Sequence, residues 1–127
     1  MKEILFPFTF VLFIMITYGF SFFEKIFNFS DTLGWMKVHF EKTPIKSLIP
    51  IGLVVLLIGE LITFLLSIYA FHSLFYFDQN DSIEWMMVAN IFCLLLMLIG
   101  QRFAKDFDGA RTIVIYLIPS LLAMIYL

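Results

Sequence analysis

Charge is scarce in this chain. Only 14% of its 127 residues are Asp, Glu, Lys or Arg, against about 25% in a soluble domain. That leaves too little polar surface to face water, so a water-soluble globule is excluded. The formal net charge of −2 offers nucleic acid no electrostatic partner, and none is expected. Cysteine is reduced to Cys93, which excludes an intramolecular disulfide and a Cys-x-x-Cys redox pair. In its apolar segment Cys93 reads as a small buried residue. Histidine is limited to His39 and His72. No cluster with metal-ligand spacing, no phosphate-cradling loop and no nucleophile–base pair is visible.

Long apolar runs take the place of polar surface. Four of them, at about residues 4–23, 48–72, 83–102 and 109–127, approach the ~20 residues that cross a hydrocarbon core about 30 Å thick. The first exceeds the ~7–15 apolar residues of a signal peptide. Its flank, Phe22-Phe23-Glu24-Lys25, offers no small-x-small cleavage site, so a retained span is expected. The predicted fold is all-α, a single-domain integral membrane four-helix transmembrane bundle. The first loop, 24–47, is expected to carry a short interfacial helix, capped by Ser30 or Asp31 and ending before Thr43-Pro44. Leu33, Met36 and Phe40 share one face of it, Trp35 lies nearby, and Lys37 and Lys42 can reach the headgroups. An irregular aromatic-rich loop is the alternative. Pro50 is tolerated in the first turns of its span, whereas Pro119 should kink the fourth. The many aromatics read as interfacial belts and lipid-facing bulk.

The last two spans are tightly spaced. Two crossings at about 1.5 Å per residue need roughly 40 residues, which leaves about five for a turn within 83–127. The polar block 100–111 is longer than that, so Gln101, Arg102 and Asp106 are expected inside the bundle or at its mouth. Lysine and arginine concentrate in the first and third connections, as Lys25, Lys37, Lys42, Lys46, Arg102, Lys105 and Arg111. The opposite side has Lys2 and the acidic Asp78, Asp81 and Glu84. This bias predicts that loops 24–47 and 102–111 are cytoplasmic and both termini outside. It also places His39 and His72 on opposite sides, which excludes a bis-histidine haem site.

The most telling residue is Glu60, near the centre of the apolar run 48–77. A charge at the centre of a membrane helix costs about 2.5–3.5 kcal/mol on insertion scales. On a helix Glu60 shares a stripe with Leu56, Thr63 and Ser67, and Gly52 and Gly59 allow close helix approach. Asn90, Leu94, Met97 and Gln101 form a second stripe, and Thr17, Tyr18 and Tyr116 are further polar candidates. The two stripes are expected to face inward, with Glu60 meeting donors from neighbouring spans. It should be neutral unless a cation reaches it. Arg102 is the expected cation, and a cluster of Lys25, Arg102, Lys105 and Asp106 is a second possibility. Arg102 and Asp106 can also pair at i, i+4.

Three stretches carry a family resemblance. They are Tyr18-Gly19-Phe20-Ser21-Phe22-Phe23-Glu24-Lys25, Gly59-Glu60-Leu61, and Gly100-Gln-Arg-Phe-Ala-Lys-Asp-Phe107 ahead of a final apolar span. Over nearly its whole length the chain resembles the DoxX-like family of small four-span bacterial membrane proteins. The arginine often found near the start of such proteins is absent, and Lys2 is the cation there. The founding members are similar to membrane subunits of a thiosulfate:quinone oxidoreductase. The resemblance implies Lys25, Glu60, Gln101, Arg102 and Asp106 as site positions, with Asn90 added by its stripe.

Three functions stand open. The first is an accessory subunit of a larger complex in the bacterial inner membrane, not catalytic alone, which binds a quinone or lipid-like molecule through Glu60. The second is a proton-coupled transporter working as a homo-oligomer. The third is a purely structural subunit with Glu60 as a hydrogen-bonded anchor.

Overall fold

The computed structural model describes residues 2–76 and 80–126 and is helical almost throughout. Helix α1 spans Lys2–Phe27, α2 Phe29–His39, α3 Ile49–Phe75, α4 Ser82–Phe103 and α5 Phe107–Tyr126. A short 3₁₀ turn, Lys46–Leu48, leads into α3, and Pro50 sits in the first turn of α3. There it has no intrahelical hydrogen bond to lose. The helices α1, α3, α4 and α5 are long and apolar enough to cross a membrane. The chain is accordingly a multi-pass membrane protein. The helices run a few residues past most of the boundaries read from hydropathy, because polar end residues such as Lys25, Ser73 and Asp108 remain helical.

Helix α1 packs on α3, α3 on α4, and α4 on α5, whereas α1 and α5 meet more loosely. Their seam is made by aromatic pairs, Phe6 with Tyr126 and Phe13 with Tyr116. The outward faces are apolar, with Leu65, Ile68, Phe92, Ile99, Ile118 and Leu122 exposed, as lipid requires. The inward faces carry the two expected stripes: Leu56, Glu60, Thr63 and Ser67 are buried on α3, and Asn90 and Leu94 on α4. Small polar residues there satisfy themselves locally. Thr63 donates to the Gly59 carbonyl at 2.8 Å and Ser120 to that of Tyr116 at 2.9 Å. Such back-bonding is how hydroxyls are accommodated without water. Ser120 directly follows Pro119, which interrupts the hydrogen-bond ladder of α5.

Close approach is real at Gly59, where an added Cβ would lie 2.9 Å from Cys93 Sγ, and absent at Gly52, which faces open space. Gly19 is likewise tight, pressed against the Phe64 ring, and so is Gly109 against Asp106 and Gln101. The α2 helix forms as expected, but its N-cap is Asn28, and Ser30 and Asp31 lie within its first turn. The connection from α1 is the single residue Asn28, so α2 starts earlier than expected and takes Ser30 and Asp31 inside it. None of its residues is fully buried. Phe40, just after it, is buried and rests against Gly100.

The turn between α4 and α5 is three residues, shorter than the five the span arithmetic allowed. The Asp106 amide donates to the Gln101 carbonyl at 3.0 Å and the Lys105 amide to that of Arg102 at 3.2 Å. This is a Schellman stop, with Lys105 at φ 58° in the left-handed position that glycine usually fills. Asp106 then starts α5, accepting from the Gly109 amide at 3.0 Å as an N-cap does from the third helical residue.

Candidate functional site: an ion pair beside an apolar cavity

On α1 the residues Ile14, Tyr18, Ser21 and Lys25 are spaced by four, three and four, so they form one stripe turned toward α3 and α4. Near the end of that stripe Lys25 Nζ lies 2.9 Å from Glu60 Oε1. Ser21 Oγ donates to the same oxygen at 2.9 Å and accepts from Lys25. Glu60 is 1% exposed and Lys25 23%. The donors expected for Glu60 therefore come from α1, and the cation that reaches it is Lys25. Lys25 lies two residues before the end of α1, on the face that packs against α3, and from there its side chain reaches Glu60.

The second Glu60 oxygen, Oε2, is buried with no hydrogen-bond partner. An unmatched buried acceptor of this kind costs about 1–3 kcal/mol, more if charged. Deeper in the bundle, Tyr18 Oη donates to Asn90 Oδ1 at 2.6 Å, and Asn90 Nδ2 donates to Ser120 Oγ at 2.7 Å. This chain ties α1, α4 and α5 together and leaves the Asn90 side chain with both ends in use.

Around these groups lies a cavity of about 970 Å³. Its wall is mostly apolar, with Leu56, Leu94, Met97 and Ile113 among the lining residues, and Lys25, Ser21 and Glu60 border it. Ile16 and Phe20 of α1 and Tyr116 of α5 line it and are also exposed on the outer face. The cavity thus reaches the apolar exterior at the loose α1–α5 seam. At the α2 end it is bordered by Thr32, Trp35, Met36 and Phe40.

Gln101 and Asp106 meet in a second polar group that hydropathy did not reveal. His39 Nε2 lies 3.2 Å from Gln101 Oε1 and 3.4 Å from Asp106 Oδ2. The His39 ring stacks on Trp35 with centroids 4.7 Å apart. These contacts fasten α2 over the end of α4 and the start of α5.

Arg102 departs from its expected role. It is exposed, places its guanidinium 4.9 Å above the Phe107 ring, and meets neither Glu60 nor Asp106. The i, i+4 pairing with Asp106 fails because α4 stops at Phe103, so the helical spacing no longer applies. The four-residue cluster likewise does not form: Lys25 pairs with Glu60, Lys105 is exposed, and Asp106 serves His39 and its own helix. Of the expected site residues, Lys25 and Glu60 come together directly, Asn90 and Gln101 line the same cavity, and Asp106 lies at its α2 end. Ser21 and His39 were missed. The Tyr18–Ser21–Lys25 spacing was a signal for the first, but nothing local marks His39. Among the described residues no group of three metal-ligating side chains forms. No family model, curated protein or solved structure matches the chain.

Proposed function

We propose that the bundle is a membrane receptor for a long-tailed amphiphile, a quinone or lipid-like molecule, and serves as an accessory subunit of a larger bacterial inner-membrane complex. One observation carries the ligand reading: an apolar cavity of about 970 Å³ converges on one ion pair, Lys25–Glu60. Ligand pockets of about 300–1,000 Å³ combine this kind of apolar wall with a few polar groups that fix orientation. The tail lies among Leu94, Met97 and Ile113, and the head meets Lys25 and Glu60. Entry is lateral, at the α1–α5 seam. The accessory-subunit role rests on the DoxX-like resemblance. The lysine and arginine bias puts α2 and the α4–α5 turn on the cytoplasmic side, with Trp35 and the exposed Lys37 of α2 at the headgroups.

The test is extraction and mass spectrometry of amphiphiles from gently solubilised protein. Wild type should carry an isoprenoid quinone or lipid near one per chain, and Lys25→Met should lose it. Protein that carries none, and binds none when offered, overturns the reading. Proton-coupled transport as a homo-oligomer draws less support, since Lys25 of the same chain already occupies Glu60. Substrate-driven proton release that vanishes in Glu60→Gln would restore it.

A further inference from the structure

We infer that the head group recognised at the Lys25–Glu60 pair is a neutral hydroxyl, one that accepts and donates a hydrogen bond at a single oxygen. This rests on the amphiphile reading above and narrows its ligand class.

The argument is an inventory of lone pairs and protons. The Lys25 ammonium has three protons. Ser21 Oγ and Glu60 Oε1 take two of them, and Lys25 borders the cavity with its side chain still 23% exposed. One proton is left for a ligand acceptor. Glu60 Oε1 is saturated by Ser21 and Lys25, while Oε2 has no donor at all. Glu60 borders the cavity, so with Oε1 held in place its unpartnered Oε2 is the acceptor left for a ligand there. The pair thus offers one donor and one acceptor side by side, with no net charge.

Head groups can be sorted against that pattern. A ketone or ether oxygen takes the Lys25 proton and leaves Oε2 unmatched. A phosphate or carboxylate satisfies Lys25 but sets a negative charge against Glu60. An ammonium satisfies Glu60 and opposes Lys25. A hydroxyl accepts from Lys25 and donates to Glu60, so both remaining valences are met. Two sources supply such a group on a long apolar tail: an aromatic diol of the quinol kind and the free hydroxyl of a diacylglycerol.

The experiment uses the full chain in phosphatidylcholine nanodiscs with a Trp85→Phe background, so that Trp35 at the cavity is the remaining tryptophan reporter. Binding is read from the change in Trp35 emission intensity and maximum as a decyl-tailed benzoquinol, the matching benzoquinone, the quinol dimethyl ether, dioleoylglycerol or its acetyl ester is titrated in. A hydroxyl probe should bind about tenfold or more tightly than its hydroxyl-free counterpart, the scale of one buried acceptor left unmatched. Whichever of the quinol and the glyceride shows this preference identifies the source. Glu60→Asp should keep the preference, and Glu60→Gln, whose amide supplies its own donor, should reduce it to within about threefold. The wild-type comparison decides the matter even if a variant fails to fold. Equal binding of hydroxyl and hydroxyl-free probes overturns this inference and leaves the amphiphile reading standing. No binding of any of the five overturns both.

Discussion

The two halves of the bundle differ in how they fill space. In the half far from α2, small and shape-matched residues close the interior: Val11, Ala70, Met86 and Ala123 are all buried with almost no accessible surface. In the half beneath α2, the same four helices line the cavity. There Gly52 faces open space, where a Cβ would touch nothing, and the polar groups gather. In lipid the tails are as apolar as the core, so helices associate through close packing and interhelical hydrogen bonds. The far half supplies that packing, and the near half is free to carry a cavity and a charge pair.

The sharpest way to break this contrast is to leave Glu60 without its cation. Lys25→Met should cost about 3 kcal/mol, as removal of one partner of a buried pair does, measured by thermal or chemical unfolding in detergent. The double variant Lys25→Met, Glu60→Gln should recover part of the loss. A double variant no better than the single one would mean that the lysine acts through packing alone. A smaller effect separates the halves themselves. Ala70→Leu, in the closed half, should destabilise by about 1–3 kcal/mol through overpacking. Gly52→Leu, in the open half, should leave stability within about 0.5 kcal/mol or raise it, yet weaken amphiphile binding by narrowing the cavity. Equal penalties at the two sites would erase the distinction.

Replacing Lys105 tests the turn at the cavity's end. Lys105→Gly should stabilise by about 1 kcal/mol, because glycine takes a positive φ without the steric cost. An unchanged unfolding midpoint would argue against the left-handed stop. The smallest global effect belongs to His39→Ala. Its contacts are half-exposed, so the loss should stay below about 1 kcal/mol. Hydrogen exchange across residues 29–39 should nevertheless quicken, as α2 has no fully buried residue of its own to hold it down. Exchange at the wild-type rate would show that His39 does not fasten α2.

Hydropathy alone determined that this chain crosses a membrane four times, because a run of about twenty apolar residues is stable in few other places. Helical periodicity alone placed Glu60, Thr63 and Ser67 on one inward face and Asn90, Leu94 and Gln101 on another, because the 3.6-residue turn links positions three and four apart. Periodicity carries no information on how far one helix slides along its neighbour. That offset brings Lys25, not Arg102, to Glu60, and it lets His39 meet Gln101 and Asp106. Nor does local pattern reveal where α4 stops, and the stop at Phe103 is what converts Asp106 from a partner of Arg102 into the cap of α5. The cavity is also a property of the assembled helices. It exists where four surfaces fail to meet, and only their mutual placement in three dimensions decides that.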